Sequence, residues 1–362
     1  MGPKTSKAFR VLLPRFSLRT GLALLLFTTL CFGFVGRWIH DVRQRGEAQL
    51  RFVARCASEP KRSISFGSSM YEQETSVDGF TAFIRHRVHP EYQRRFRYIH
   101  VSGALLEKEP RIELKRFFGV QHLELVSTSN RKTLLEAMQT PGLTDLAVFF
   151  RNRAVVGPDV EWGQVAKAQS LKSLEIELLG ESDALLVELG KLPKLEKVRM
   201  EGCTPEGLIG LAKSPSLLDL SVSLHLPGGY RKEPRSEEEL KGIRRSLKLA
   251  LDELGMRPKL TKLSINGFFP LTPDDMRGFC SNSKLQELHL KHFQITPGCL
   301  AEFVRLPNLA WIEIDDKLLR DEHLELFSGM KQLKLLTVGP EISGEAIVVL
   351  REKMPQCEIW RK

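Results

Sequence analysis

Short apolar triplets punctuate a largely polar chain, and they share one spacing, apolar-x-x-apolar-x-apolar. The copies are Phe96/Ile99/Val101, Val120/Leu123/Leu125, Leu143/Leu146/Val148, Leu171/Leu174/Ile176, Leu195/Val198/Met200, Leu217/Leu220/Val222, Leu260/Leu263/Ile265, Leu285/Leu288/Leu290, Leu309/Ile312/Ile314 and Leu333/Leu336/Val338. They start 24, 23, 28, 24, 22, 43, 25, 24 and 24 residues apart. The last two members of each triplet stand two residues apart, the period of a strand that buries one face. Between triplets the apolar spacing becomes helical: Leu208, Leu211 and Ala212; Leu300, Phe303 and Val304; Leu324, Leu326 and Phe327. Thr204-Pro205, Thr272-Pro273 and Thr296-Pro297 place a capping hydroxyl before a proline at the first helical position, and Ser343 can cap the last helix. Pro193, Pro215, Pro307 and Pro355 then stop the helices. Each unit therefore predicts a strand, a turn, a helix and a proline stop.

One such unit cannot bury its apolar edge alone, so neighbouring units must stack. The expected fold class is α/β, a solenoid with a curved parallel sheet and convex helices. About ten strands at roughly 4.8 Å give an inner arc on the order of 45 Å. The recurring triplets resemble the leucine-rich repeat family over roughly residues 96–360. Phe16-Ser17-Leu18-Arg19-Thr20 with the apolar run after it, and the ending Pro355 to Ile359, are similar to a bacterial subgroup that is membrane-anchored. The resemblance implies protein binding as the usual activity. One departure stands out. The family places Asn or Cys three residues after the triplet, but Thr128, Arg151, Leu179, His225, Phe268, Phe293, Lys317 and Glu341 occupy those positions, and only Cys203 fits. A largely missing polar ladder and irregular stacking are expected.

The 43-residue interval holds an insertion at about 227–256. Pro227-Gly228-Gly229 opens it as a turn, Ser236 with Glu239 forms a capping box, and Leu240, Ile243, Leu247, Leu251 and Leu254 make one helical stripe. This predicts one lengthened convex helix, with a loop at Tyr230 to Arg235. Residues 63–95 are expected to cap the N-terminal edge, with a strand at Ser63 to Phe66 and a short helix at Phe80 to Val88. The solenoid proper runs over 96–362.

Charge and composition add a membrane to this picture. Residues 20–36 carry no charge, and Trp38 and Ile39 extend the run to 20–39, long enough for a single-pass signal anchor. No A-x-A pattern follows, which argues against a cleaved signal. A basic tail (1–19) precedes the anchor and a juxtamembrane linker (40–62) follows it. The net charge of +10 sits entirely in residues 1–100, with 17 Lys+Arg against 7 Asp+Glu, while residues 101–362 balance at 37 each. A basic excess flanking an apolar segment suits a membrane surface rather than nucleic acid. Five Lys/Arg stand on each side of the run, so the positive-inside rule gives no orientation. We take the repeat domain as extracytoplasmic.

Chemistry is sparse. The six cysteines have no CxxC spacing, and burial as small hydrophobes is expected. No phosphate-binding glycine loop, GxSxG, HExxH or EF-hand pattern occurs, so no catalytic residue, metal, cofactor or small-molecule substrate is expected. His86 and His89, and His289 and His292 at a strand end, read as solvated basic positions. Glu237-Glu238-Glu239 and Asp315-Asp316 read as solvated charges. The concave face is the candidate surface for non-catalytic binding of a protein or a surface polymer, represented by Phe149, Glu175, Arg199, His289, Lys291, Trp311 and Glu313. Trp311 and Phe149 stand out because exposed aromatics concentrate binding energy. Alternatives are a structural spacer, and an enzyme whose site lies in residues 56–95.

Overall fold

The computed structural model describes residues 64–65, 98–102, 120–128, 131–150, 161–177, 183–224, 236–267, 269–316 and 319–362, with single positions between 33 and 44. The chain divides into two compact units, Met1–Glu47 with Glu74–Gln93, and Ala48–Gln73 with Arg94–Lys362. In the first, the described positions are Gly33, Phe34, Gly36, Arg37, His40 and Gln44, all helical. Among the described residues no helix is long and apolar enough to cross a membrane. Most of the 20–39 run and all of the cap except Ile64–Ser65 lie outside the described residues, as do His86, His89 and the Tyr230 to Arg235 loop.

The second unit carries the repeats. Its strands, in chain order, are β1 (Ile64–Ser65), β2 (Tyr98–Ser102), β3 (His122–Thr128), β4 (Asp145–Phe150), β5 (Ser173–Glu177), β6 (Lys197–Cys203), β7 (Asp219–Leu224), β8 (Lys262–Asn266), β9 (Pro270–Leu271), β10 (Glu287–Lys291), β11 (Gln294–Ile295), β12 (Trp311–Asp315), β13 (Leu335–Val338) and β14 (Glu358–Arg361). Twelve of these form one sheet in sequence order, from which only β9 and β11 depart to make a separate two-stranded pair. From β2 to β14 every neighbour is parallel, and β1 pairs antiparallel with β2. Parallel neighbours need a crossover, and here each crossover is the convex half of a repeat.

The triplets set the register. Leu123, Leu146, Leu174, Val198, Leu220, Leu263, Leu288, Ile312, Leu336 and Ile359 stand side by side across successive strands. All of them are buried, as are the other members of the described triplets. Each such side chain contributes roughly 1.5–3 kcal/mol on burial, and the stack sums these terms only when neighbours are present. A shared backbone contact repeats with the same period. The carbonyl of Gln121 accepts from both Thr144 and Asp145, that of Thr144 from Lys172 and Ser173, that of Lys172 from Glu196 and Lys197, and so on through Ala310 to Lys334 and Leu335. This register, period and layering define a leucine-rich repeat solenoid.

The insertion leaves the sheet undisturbed, because β7 pairs directly with β8 from Asp219↔Lys262 to Ser223↔Asn266. Its length is absorbed by one convex helix, Glu237–Gly255, which buries Ile243, Leu247, Ala250, Leu251 and Leu254. Ser236 caps that helix by accepting from the Glu239 amide at 3.1 Å. Thr204 and Ser343 cap theirs by accepting from Gly207 and Ala346. The other Thr-Pro pairs behave differently. At Thr272 the cap is Asp275, whose carboxylate accepts the Thr272 amide at 2.8 Å and hydroxyl at 2.6 Å. Thr296 instead donates to the Leu271 carbonyl of the preceding repeat. Three convex segments, Trp162–Lys167, Phe279–Ser281 and Asp321–Gly329, are 3-10 rather than α-helical. The tighter coil takes up fewer residues per length of repeat.

The expected irregular stacking does not occur across the described strands, where register shifts are confined to Val126/Thr128 and Glu201/Cys203. Polar rungs exist, but on the opposite side of the repeat, in the turns that lead into strands. Ser216 donates to the Pro193 carbonyl, Asn308 to Ser283, Gln332 to Leu306, and Asn282 to Leu254 and Arg257. Where the family pattern would hold an asparagine, Phe293 is buried and packs edge-to-face on Phe269, ring centroids 5.3 Å apart. Gly267 makes room for it, since a Cβ there would lie 2.4 Å from the Phe293 ring. Cys203, Cys280, Cys299 and Cys357 are free thiols inside the core. Burial pushes the Cys280 thiol up to about 12 and that of Cys357 up to about 11.

Candidate functional site

Alternation along each strand sends the residues between triplet members to the concave face, where they form three columns. The first runs through His122, Asp145, Ser173, Lys197, Asp219, Lys262, Glu287, Trp311 and Leu335. The second runs through Glu124, Ala147, Glu175, Arg199, Ser221, Ser264, His289, Glu313 and Thr337. In the middle of the second column two serines stand side by side, Ser221 on β7 and Ser264 on β8. Long side chains flank them, Arg199 on β6 and His289 on β10. Short side chains between tall ones leave a hollow of about 580 Å³, lined by Glu175, Lys197, Arg199, Asp219, Ser221, Lys262, Ser264, His289, Lys291 and Glu313, with parts of Ser173, Leu174 and Val198.

One wall is a buried charged cluster. His289 is 5% exposed and Glu313 8%. His289 Nδ1 lies 2.6 Å from Glu313 Oε2, while Lys291 and Lys362 approach Oε1 at 3.3 and 2.6 Å. Burial alone would raise the Glu313 carboxyl, but hydrogen bonds from Lys362 and His289, with the Lys291 charge, outweigh it and hold the group at about 2. Lys362 also reaches Asp315 at 3.3 Å, and its ammonium is raised by these two carboxylates against the opposing effect of burial. An ionised Glu313 can only accept, so Nδ1 is the protonated nitrogen of His289. The other ring nitrogen, Nε2, is buried with no hydrogen-bond partner among the described residues, and Glu287 Oε2 stands 3.7 Å from it. Trp311 packs edge-on against the His289 ring at 4.5 Å, under the Lys262 ammonium at 5.6 Å. The Trp311 indole nitrogen is also buried without a hydrogen-bond partner. The opposite wall is looser, with Arg199 reaching Glu175 at 3.4 Å and largely exposed.

Of the sequence-predicted residues, the structure brings Glu175, Arg199, His289, Lys291 and Glu313 around one hollow, with Trp311 behind His289. Phe149 lies apart on β4, half-buried in the third column opposite Val126. Two readings are corrected. His289 is no solvated strand end but a buried residue in the middle of β10, whereas His292 is exposed at φ 59°. Asp316 is not solvated either: it is 3% exposed and its carboxylate accepts the Ile295 amide. Sequence reasoning missed Asp219, Ser221 and Ser264. The available signal was a small polar residue at the centre of consecutive triplets, Leu220-Ser221-Val222 and Leu263-Ser264-Ile265, between triplets with long side chains there.

No protein-family model matches the chain, and no curated protein matches it. Similar solved structures include internalin C2 from Listeria monocytogenes, 14% identical with a TM-score of 0.35, covering 61% of this chain and 81% of that one. Another is the Drosophila Toll–Spatzle complex, 14% identical with a TM-score of 0.45, covering 73% of this chain and 34% of that one. A third is the TLR13–ssRNA13 complex, 16% identical with a TM-score of 0.41, covering 68% of this chain and 36% of that one. The chain thus spans about a third of the Toll and TLR13 chains.

Proposed function

We propose that this chain binds another protein through the concave face of its sheet, without catalysis, and that residues 20–39 anchor it in a membrane with the repeats on the extracytoplasmic side. The observation that supports the binding site most strongly is the hollow over Ser221 and Ser264, walled on one side by the buried His289–Glu313 cluster. Elsewhere the mixed charges of the face add complementarity, and Trp311 adds an aromatic surface partly open to solvent. The anchor rests on the uncharged run and on Trp38 at its end.

The test is a selection of random twelve-residue peptides on the 362-residue chain, followed by calorimetry of the selected peptides. Substituting Trp311, Glu313 and His289 together with alanine should weaken binding at least tenfold, provided circular dichroism shows a folded chain. Leu249→Ser, on the exposed side of the inserted helix, should leave binding unchanged. Unchanged affinity in the triple variant places the site elsewhere. For the anchor, a reporter active on one side of the membrane only is fused after Lys362. Activity on the cytoplasmic side alone would remove the extracytoplasmic assignment.

A further inference from the structure

The inner face changes character at its C-terminal end. From β5 to β10 the first two columns are polar throughout. On β12, β13 and β14 they become Trp311, Leu335 and Glu358 in the first column and Glu313, Thr337 and Trp360 in the second. Ile359 is buried in the core, so alternation along β14 turns Trp360 to the concave side, where it is 57% exposed. Leu335, on the neighbouring strand, is half-buried. Two of the chain's four tryptophans therefore meet the inner curve here, with a leucine between their strands.

The same face shows how it treats a tryptophan beside a carboxylate. Lys262 holds its ammonium 5.6 Å from the centre of the Trp311 ring and 2.8 Å from Glu287 Oε2. A cation thus sits between an indole face, which is electron-rich, and a carboxylate. On β14 two members of that set recur: Glu358 and Trp360 stand two residues apart on one face of the strand. The cation does not. Among the described residues none pairs with Glu358 or lies over the Trp360 ring. Lys362, next along that face, is committed to Glu313 and Asp315, and Arg361 projects from the other side of the strand. In the hollow the charges already have opposites, Arg199 with Glu175, Lys262 with Glu287 and Lys291 with Glu313, whereas Glu358 is free to take one from a partner.

We infer that Glu358 and Trp360 receive an arginine of the protein partner, with an apolar residue beside it resting on Leu335. This deepens the protein-binding reading and rests on it. Arginine suits the pair better than lysine, because its planar guanidinium stacks on the indole while its fork of donors reaches the carboxylate.

The experiment titrates the full chain, by calorimetry, with a blocked pentapeptide carrying arginine between two leucines. Companion peptides replace the arginine by citrulline or glutamate, or the leucines by serine. The arginine peptide is expected to bind about tenfold tighter than its citrulline counterpart, the combined yield of an exposed ion pair and a cation–ring contact. Trp360→Ala or Glu358→Gln should reduce that preference, and Glu358→Lys should turn it toward the glutamate peptide. Serine in place of the leucines should weaken binding. Glu358 and Trp360 are both exposed, so these variants test contact rather than folding. Equal binding of the arginine and citrulline peptides, or a preference unmoved by Glu358→Lys, overturns the inference. So does a chain that sediments as a dimer and becomes monomeric with Trp360→Ala, which would give the surface to a second copy. If library-selected peptides lose affinity in the triple variant of Trp311, Glu313 and His289 but not in Glu358→Lys, the arginine seat fails while the protein-binding reading stands. If they ignore both variants, that reading fails first.

Discussion

Glu313→Gln isolates the charge at the centre of the buried cluster while keeping the shape and one acceptor oxygen. In the folded chain the carboxyl sits at about 2 against an ordinary 4.5. At about 1.4 kcal/mol per unit the full difference is worth roughly 3.4 kcal/mol. The cations that hold it are partly in water, Lys291 being 36% and Lys362 37% exposed, and screening reduces the figure to about 1–2 kcal/mol. Because the folded value is depressed, this stabilisation is complete above about 4.5 and is lost as pH falls through about 2. Urea unfolding of the native chain and the variant at pH 7, 4 and 2.5 measures it, urea being chosen because an ionic denaturant would screen the cluster. At pH 7 the variant should be less stable by about 1–2 kcal/mol, and the gap should close steadily toward pH 2. A gap of the same size at every pH would mean that Gln disturbs packing rather than charge. No gap at pH 7 would mean that the cluster does not stabilise the fold.

Other consequences follow from the stacking. Leu263→Ala removes a fully buried member of the central ladder and should cost about 3–5 kcal/mol in urea unfolding, whereas the exposed Leu249→Ala should cost far less. Gly190→Ala sets a Cβ 2.1 Å from the Gly210 carbonyl oxygen of the next repeat, so the two convex segments must separate, at about 1–3 kcal/mol by the same assay. Cys280, with its thiol pushed up to about 12, should resist a thiol reagent at pH 8 in the native chain and react once urea unfolds it, as peptide mapping of the modified cysteines would show.

The repeat period and the apolar triplets carried the sheet. A parallel strand stacks in whichever register buries its apolar residues, and Leu263 can meet Leu220 and Leu288 in only one way. The inserted helix was legible for the same reason, since Ile243, Leu247, Leu251 and Leu254 leave one buried stripe. Less legible was anything set by contacts between repeats. The polar rungs at Ser216, Asn308 and Gln332 bond carbonyls some 23 to 26 residues earlier, and no local pattern announces such a partner. The site shows the same division. The alternation rule brought Glu175, Arg199, His289 and Glu313 to one face, but the hollow depends on Ser221 and Ser264, which shape it through their low height between taller neighbours. The burial of His289 was missed because it comes from Trp311 on one neighbouring strand position and Glu313 on the next, together with Lys362, which lies 73 residues further along the chain.

The central claim is that partners bind the inner curve of the solenoid at the serine floor, and site-specific photo-crosslinking measures this most directly. One full chain carries p-benzoylphenylalanine in place of Ser221, on the concave floor, and another carries it in place of Leu249, on the exposed side of the inserted helix. Each is irradiated with a peptide selected for binding. Crosslinked product from the Ser221 position and none from Leu249 is the predicted result. A crosslink from Leu249 with none from Ser221, at a concentration where both chains bind the peptide, would contradict the account.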